Sequence, residues 1–212
     1  YGHRGAATHL QVHPVILMDI PDVVLASGST WRQQLLEAAG ISCFVDPAEV
    51  NEDACTVRNP VERATELARA KLNVVVVRHP GSLVLAADQV AHLDGVAFGK
   101  PSSPADHLDM LQGLVGKRHE LVTAVAMEWN SQRVEFHEVT GIRFRGDISD
   151  AEISAYVRQG EGADCAGGYR VESLGPWLIE AVEGDWFNVV GLPIPRLVTE
   201  LRRMGFRLDH VA

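Results

Sequence analysis

Asp22-Val23-Val24-Leu25-Ala26 runs directly into Ser27-Gly28-Ser29-Thr30-Trp31-Arg32. The first five residues read as a buried strand, because so short an apolar run before a polar turn suits a strand covered on both faces. Beyond the turn, Leu35, Leu36 and Ala39 recur at helical spacing, and Gly40 stands where a helix C-cap belongs. Strand, polar turn and helix in that order form the opening unit of an α/β domain.

The rest of the chain continues the alternation. Cys43–Val45 reads as a second strand. Pro60 to about Val77 reads as a long helix, with Ala64, Leu67, Ala68, Lys71 and Leu72 at suitable spacing; its Val74–Val77 end fits helix or strand. Ser82–Ala87 is an apolar strand. Val90–Leu93 and Val96–Phe98 flank Asp94-Gly95, the strongest short hairpin signal, since both turn residues need positive φ. Ser103–Leu114 follows as a helix with Pro104 in its first turn. Glu120–Trp129 and Arg133–Arg145 read as strands, Asp150–Arg158 as a helix, Trp177–Val182 as a strand and Pro193–Met204 as a terminal helix. The expectation is one α/β domain over residues 21–212 with a mixed sheet. Residues 1–20, with three histidines and little pattern, are expected to be an extension. The first residue, Tyr1, suggests an altered or missing start.

Composition removes several function classes. The net charge of −9 argues against a binder of duplex nucleic acid, which carries a basic face. No apolar run approaches the roughly 18–20 residues that cross a bilayer, and Val15–Met18 is too short for a signal peptide. Cys43, Cys55 and Cys165 are odd in number and form no CxxC pair, so neither a disulfide framework nor a structural zinc site is expected; a reducing, cytoplasmic location suits them. The histidines show no HExxH spacing, which argues against a zinc hydrolase.

Four constellations could carry chemistry. Ser27–Arg32 could bind phosphate through backbone N–H groups, hydroxyls and a guanidinium, or could simply cap a helix with Ser29 or Thr30. Asp88, in Ala87-Asp88-Gln89 at the expected end of a strand, could hold a metal or take a proton from water, or could cap a turn. Phe98-Gly99-Lys100-Pro101-Ser102 offers a lysine to phosphate, although no Walker A frame exists. The glycine-rich Cys165-Ala166-Gly167-Gly168-Tyr169 with Glu172, and then Gly184-Asp185 and Asn188-Val189-Val190-Gly191-Leu192-Pro193, form loops of the kind that carry function. Gly191-Leu192-Pro193 reads as a strand-to-helix turn.

The order of these pieces resembles the Maf family of nucleotide pyrophosphatases, related to Ham1. The likeness runs from Val24 to about Met204. It rests on Leu25-Ala26-Ser27-Gly28-Ser29 with Arg32 and Leu35-Leu36; Ala70-Lys71; Ala87-Asp88; Leu93-Asp94-Gly95 with Gly99-Lys100-Pro101; Met110-Leu111 with Gly116 and His119; Ala166-Gly167; and Gly184-Asp185 with Asn188 to Pro193. The resemblance implies a mixed, strongly twisted sheet flanked by helices, with a nucleotide cleft. It implies cleavage between the α- and β-phosphates of a nucleoside triphosphate, with Mg²⁺ or Mn²⁺. Asp88 would be the proton acceptor, Glu52 and Asp88 the metal-linked carboxylates, and Ser27, Ser29, Arg32, Lys71 and Lys100 the phosphate clamp. Taken alone, Lys71 reads as a surface lysine. A homodimer is a possible assembly.

The chain departs from the commonest family pattern. It has Thr30-Trp31 where many members have Pro-Arg, Gln89 where they have Thr, Cys165 where they have Lys, and Glu172 where they have Gln. Trp31, Gln89 and Glu172 resemble the branch acting on 7-methyl-GTP rather than the branch acting on dTTP and UTP. A tryptophan face attracts the cationic N7-methylguanine ring, worth roughly 0.5–2 kcal/mol. A carboxylate can accept from guanine N1–H and the exocyclic amine. The sequence therefore sets 7-methyl-GTP as the expected substrate. The alternatives are dTTP and UTP, or a non-catalytic nucleotide-binding regulator of cell division.

Overall fold

The computed structural model describes residues 21–207; the expected extension, residues 1–20, lies outside them. β1 (Val23–Leu25), α1 (Thr30–Ala38) and β2 (Cys43–Val45) form the opening unit, and β1 pairs in parallel with both β2 and β3 (Leu83–Leu93). β3 then runs antiparallel to β5 (Arg118–Trp129), β5 to β6 (Gln132–Phe144), and β6 to β7 (Ile179–Glu183). β4 (Val96–Phe98) folds back on the far end of β3 through Asp94 and Gly95, which hold φ values of 51° and 80°. The result is one mixed seven-stranded sheet.

The two faces of the sheet are covered differently, because alternate residues of a strand point to opposite sides. On one side α2 (Pro60–Val76) lays Ala64, Ala68, Leu72 and Val75 against Val24, Val84, Ala86, Val122, Ala124 and Ala126. The alanines on both partners let the helix approach closely. Asn59 caps this helix by accepting from the Val61 and Glu62 amides, and Pro60 begins it. On the other side Leu25, Leu85, Ala87, Val125 and Met127 pack against Leu36 of α1 and against Leu197 and Leu201 of α6 (Ile194–Arg203). Further along that side, Leu111 and Leu114 of α3 (Pro104–Leu114) and Ile153 and Tyr156 of α4 (Asp150–Arg158) cover Ala91, Leu121, Ile142 and Phe144.

Three expectations are corrected and one open choice is resolved. Ser82–Ala87 and Val90–Leu93 are one strand, β3: the polar pair Asp88-Gln89 interrupts the apolar run but not the ladder, in which Asp88 opposes Ala124 and Gln89 opposes Thr123. Asp88 therefore lies in mid-strand, not at a strand end. The Val74–Val77 stretch is helical through Val76, with Val77 as its cap. Gly191-Leu192-Pro193 joins two helices, because Trp186–Val190 forms a short α5 capped by the Asp185 side chain. The Trp177–Val182 strand starts only at Ile179, after a 3₁₀ turn at Gly175–Trp177.

His119, on β5, is enclosed by Phe98, Phe144 and Tyr169, and its Nε2 lies 2.6 Å from the Tyr169 hydroxyl. Burial, aided by the His92 and Arg118 charges, lowers its pKa to about 4. Between pH 6.5 and 4 the unfolded chain then binds a proton that the folded chain refuses, so stability falls as the pH drops. The expected loss approaches about 3 kcal/mol by pH 4. His119→Gln should flatten that part of a stability-versus-pH curve measured by denaturant titration; an unchanged slope would count against this account.

Candidate functional site

The site lies in a gap on one edge of β3. β1 pairs with Leu83–Leu85, and β4 pairs with Ala91–Leu93. Between them neither strand covers residues 86–90 on that side. A cleft of about 610 Å³ lies beside this gap, and Ser27, Ser29, Trp31, Arg32, Glu52, Lys71, Asp88, Gln89, Lys100 and Glu172 all line it. Every candidate residue read from the sequence thus reaches one cleft.

Parity along β3 sends Asp88 and Gln89 different ways. Asp88 shares the side of Val84 and Ala86 and meets α2, where Lys71 donates to its Oδ1 at 2.6 Å. Both partners are nearly sealed, with Lys71 9% and Asp88 6% exposed, so Lys71 is no surface lysine. The same ammonium lies 2.6 Å from Glu52 Oε1. Burial raises the Asp88 carboxyl above the usual aspartate range; Lys71 and Arg32 pull it down and the Glu52 charge adds to the rise. Glu52 is also pushed up by burial, but Lys71, Lys100 and Arg32 outweigh this and hold it below the usual glutamate range.

Glu52 stands on an exposed 3₁₀ turn, Glu52–Ala54. Arg63, on α2, fixes that turn by donating to the Glu52 carbonyl at 3.2 Å and the Cys55 carbonyl at 2.5 Å. One helix therefore holds both the backbone and the carboxylate of Glu52. Arg63 gives no signal in the sequence beyond being a helical arginine.

Arg32 is committed inward. Its Nε donates to the Gly191 carbonyl at 2.9 Å, and Nη1 donates to Ser27 Oγ at 2.9 Å and the Ala87 carbonyl at 3.0 Å. Ala87 lies in the stretch of β3 that β1 has left, and the guanidinium serves its carbonyl where a neighbouring strand would have done so. Burial lowers the Arg32 pKa, with Asp88 and Glu52 acting the other way; an arginine keeps its charge at any working pH. Ser29 caps α1 by accepting from the Arg32 amide at 3.4 Å, which leaves the first turn of the helix facing the cleft.

Gln89 points toward α5. Its Nε2 donates to the Asn188 carbonyl at 2.7 Å and to Thr123 Oγ1 at 3.0 Å. Asn188 is fully buried and donates to the Leu121 and Glu138 carbonyls and to Thr140 Oγ1. The amide of Gln89 is thus spent on holding α5 to the sheet. Lys100 is exposed at the mouth, and the Gly99 carbonyl beside it accepts from the Gly167 amide at 3.2 Å. Glu172 is half-buried; burial raises its carboxyl, Arg170 opposes this and Glu161 adds to it. The loop Asp164–Glu172 is clasped from behind by His107, whose Nε2 lies 2.5 Å from the Gly168 carbonyl. At Gly168, with φ of 73°, any Cβ would meet the His107 ring at 2.9 Å, so glycine is needed there.

Buried cations, hydroxyls and a helix N-terminus facing two carboxylates across an open strand edge suit a polyanion that undergoes attack by water. The fold and this cleft define an α/β protein with a mixed sheet whose cleft suits a phosphorylated ligand. The chain belongs to the Maf family: a family model described as Maf-like protein matches residues 22–204. A dTTP/UTP pyrophosphatase of Oleidesulfovibrio alaskensis is 43% identical over 188 residues, covering 86% of this chain and 85% of that one. A protein of the same name from Symbiobacterium thermophilum is 39% identical over 184 residues, covering 87% and 94%. Another from Bacillus anthracis is 37% identical over 188 residues, covering 89% and 98%. The solved structure of the Staphylococcus aureus Ham1 protein aligns at a TM-score of 0.49 and 14% identity, over 86% of this chain and 99% of that one. Among the described residues no helix is long and apolar enough to cross a membrane.

Arg32→Met should cost about 2–4 kcal/mol in a denaturant titration, since it strands two carbonyls and a hydroxyl. Arg32→Lys, which keeps the charge but cannot reach three acceptors as a fork, should recover little of that loss. Full recovery by lysine would mean that charge alone matters here.

Proposed function

We propose that this chain is a nucleoside triphosphate pyrophosphatase that converts dTTP and UTP to their monophosphates and pyrophosphate. The observation that carries the reading is the Glu52–Lys71–Asp88 chain of contacts, at 2.6 Å each, opening into the cleft that also holds Ser27, Ser29, Arg32 and Lys100. The relatives' names supply the pyrimidine preference. A binding module for nucleotides would gain nothing from burying an aspartate beside a lysine.

In this reading the triphosphate lies along α1's first turn, Lys71 and Lys100. Ser27 and Ser29 offer hydroxyls, and Arg32 keeps the Ser27 and Ala87 walls in place while lending its charge. Asp88 orients a water toward the α-phosphorus and accepts its proton; oxygen bonds to that phosphorus as the bridge to the β-phosphate breaks, and pyrophosphate leaves. A carboxyl raised by burial is a better base than a free aspartate. Lys71 keeps that carboxyl aimed and charged.

Two carboxylates, Glu52 and Asp88, meet the same ammonium, and among the described residues no cluster of three or more His, Cys, Asp or Glu side chains is placed to ligate a metal. That fits Mg²⁺ or Mn²⁺, which takes one or two protein carboxylates and completes its shell with phosphate oxygens and water. When bound, such an ion would neutralise charge developing on the phosphates.

A second reading, hydrolysis of 7-methyl-GTP, rests on one observation: Trp31 and Glu172 line the same cleft. An aromatic face and a carboxylate suit a cationic purine. Turnover of dTTP, UTP, 7-methyl-GTP and GTP with Mg²⁺ and with Mn²⁺, with products resolved chromatographically, decides between the two. Under this proposal dTTP and UTP lead; a dominant 7-methyl-GMP product would reverse the order. Asp88→Asn should lower turnover by 10²-fold or more, an order-of-magnitude expectation, with the fold intact. The acid limb of the wild-type pH–rate profile should lie above the ~4 of a free aspartate, because Asp88 must be ionised to accept a proton. An acid limb below that value would remove Asp88 as the base.

A further inference from the structure

The cleft has two chemically different walls. One carries Arg32, Lys71 and Lys100 against Glu52 and Asp88, an excess of positive charge. The other, the loop Asp164–Glu172, carries Arg170 between Asp164 and Glu172, an excess of negative charge. A triphosphate belongs at the first wall, and the second would repel it. Whatever meets the second wall is therefore the uncharged end of the substrate.

Arg170 is built into that wall. Its amide donates to the Tyr156 hydroxyl at 2.9 Å, and its carbonyl accepts from the Gly175 amide at 2.8 Å. Its Nη2 donates to both Asp164 oxygens, at 2.7 and 2.6 Å. That pairing fixes the guanidinium plane but uses only one of three nitrogens. Nε is buried without a hydrogen-bond partner, and among the described residues only the Cys165 sulfur, a weak acceptor, lies against the rest of the group. The side chain is about a third exposed, and it lines the cleft together with Glu172. Nε is sealed away, but among the described residues Nη1 is neither enclosed nor hydrogen-bonded, so the held guanidinium presents one free donor next to the Glu172 carboxylate on the cleft wall.

Resting on the pyrophosphatase reading, we propose that Arg170 is a specificity residue that selects keto nucleobases, donating to a ring carbonyl while Glu172 accepts from the adjacent ring N–H. Uracil, thymine and guanine all present a carbonyl beside an N–H. Cytosine and adenine present an amine beside a bare ring nitrogen, which turns donor against donor and acceptor against acceptor. A site built to hydrogen-bond one edge discriminates strongly, because the wrong base leaves its polar groups unpaired. Asp164 acts through Arg170 as a positioning residue.

The test compares UTP with CTP, which differ only at this edge. The full chain, with Mg²⁺, should favour UTP by about tenfold or more in kcat/KM. Arg170→Met should bring the two within about threefold, mainly by loss on UTP, while Arg170→Lys, which can keep Asp164 paired, should retain part of the preference. Inhibition by inorganic triphosphate should be unchanged in both variants. Calorimetric binding of UMP and CMP gives the same comparison without turnover. If UTP is not hydrolysed but UMP binds in preference to CMP, and Arg170→Met abolishes that preference, the pyrophosphatase reading fails while the role of Arg170 stands. The proposal is overturned if the UTP preference survives in Arg170→Met, or if neither monophosphate is preferred by the wild type. It is equally overturned if the variants weaken inorganic triphosphate as much as UTP, which would make Arg170 a phosphate ligand.

Discussion

A carboxylate in the middle of a central strand, nearly out of reach of water, is a costly group to bury, and the Lys71 ammonium is what makes it tolerable. Removing an ionised group from water costs several kcal/mol unless an opposite charge meets it at close range. Asp88 and Lys71 meet at 2.6 Å, and Glu52 takes the other side of the same ammonium. The long helix α2 is needed to bring that charge to the sheet, and its small buried residues let it come close enough. Packing and site chemistry thus depend on one helix: Ala64 and Ala68 set its distance from β3, Lys71 serves the two carboxylates, and Arg63 holds the turn on which Glu52 stands.

The neighbours of β3 explain why the site lies where it does. A strand that is covered on both edges buries its backbone groups in a ladder and leaves no opening. Here β1 pairs early and β4 pairs late, so β3 keeps an uncovered stretch between them. An unserved backbone carbonyl at such a place needs a donor. Arg32 supplies it at Ala87, and in doing so closes the wall behind Ser27. The uncovered edge therefore serves as both the opening of the cleft and the reason for its inward-turned arginine.

Much of this was legible in the sequence where the signals are local. The buried run into Ser27–Arg32, the Asp94-Gly95 hairpin and the capped helices all form as read, because caps and turns are decided within a few residues. Asp88-Gln89 misled, since a polar pair looks like a strand end while only the partner strand β5 shows that the ladder continues. Lys71 carried an unused signal: it lies on the same helical stripe as Ala64, Leu67, Ala68 and Leu72, and a lysine on an apolar stripe needs a buried counter-charge. Gln89 could not be placed from its neighbours, because its amide is claimed by the α5 backbone at Asn188, about a hundred residues away, and α5 is too short to show a period. Arg63 and Arg170 were unread because each acts through contacts that no spacing encodes.

The bond between Arg32 and Gly191 joins residues 159 positions apart. A ribosome releases the amino-terminal half of the cleft long before the turn that completes it. Until α5 and α6 arrive, the guanidinium lacks one of its three acceptors, and Gln89 lacks the carbonyl that draws α5 onto the sheet. A partly made chain therefore holds Asp88, Lys71 and Glu52 but not the Gly191 turn that anchors Arg32 beside them. The last acceptor of the cleft's arginine thus comes from a segment synthesised long after the arginine itself.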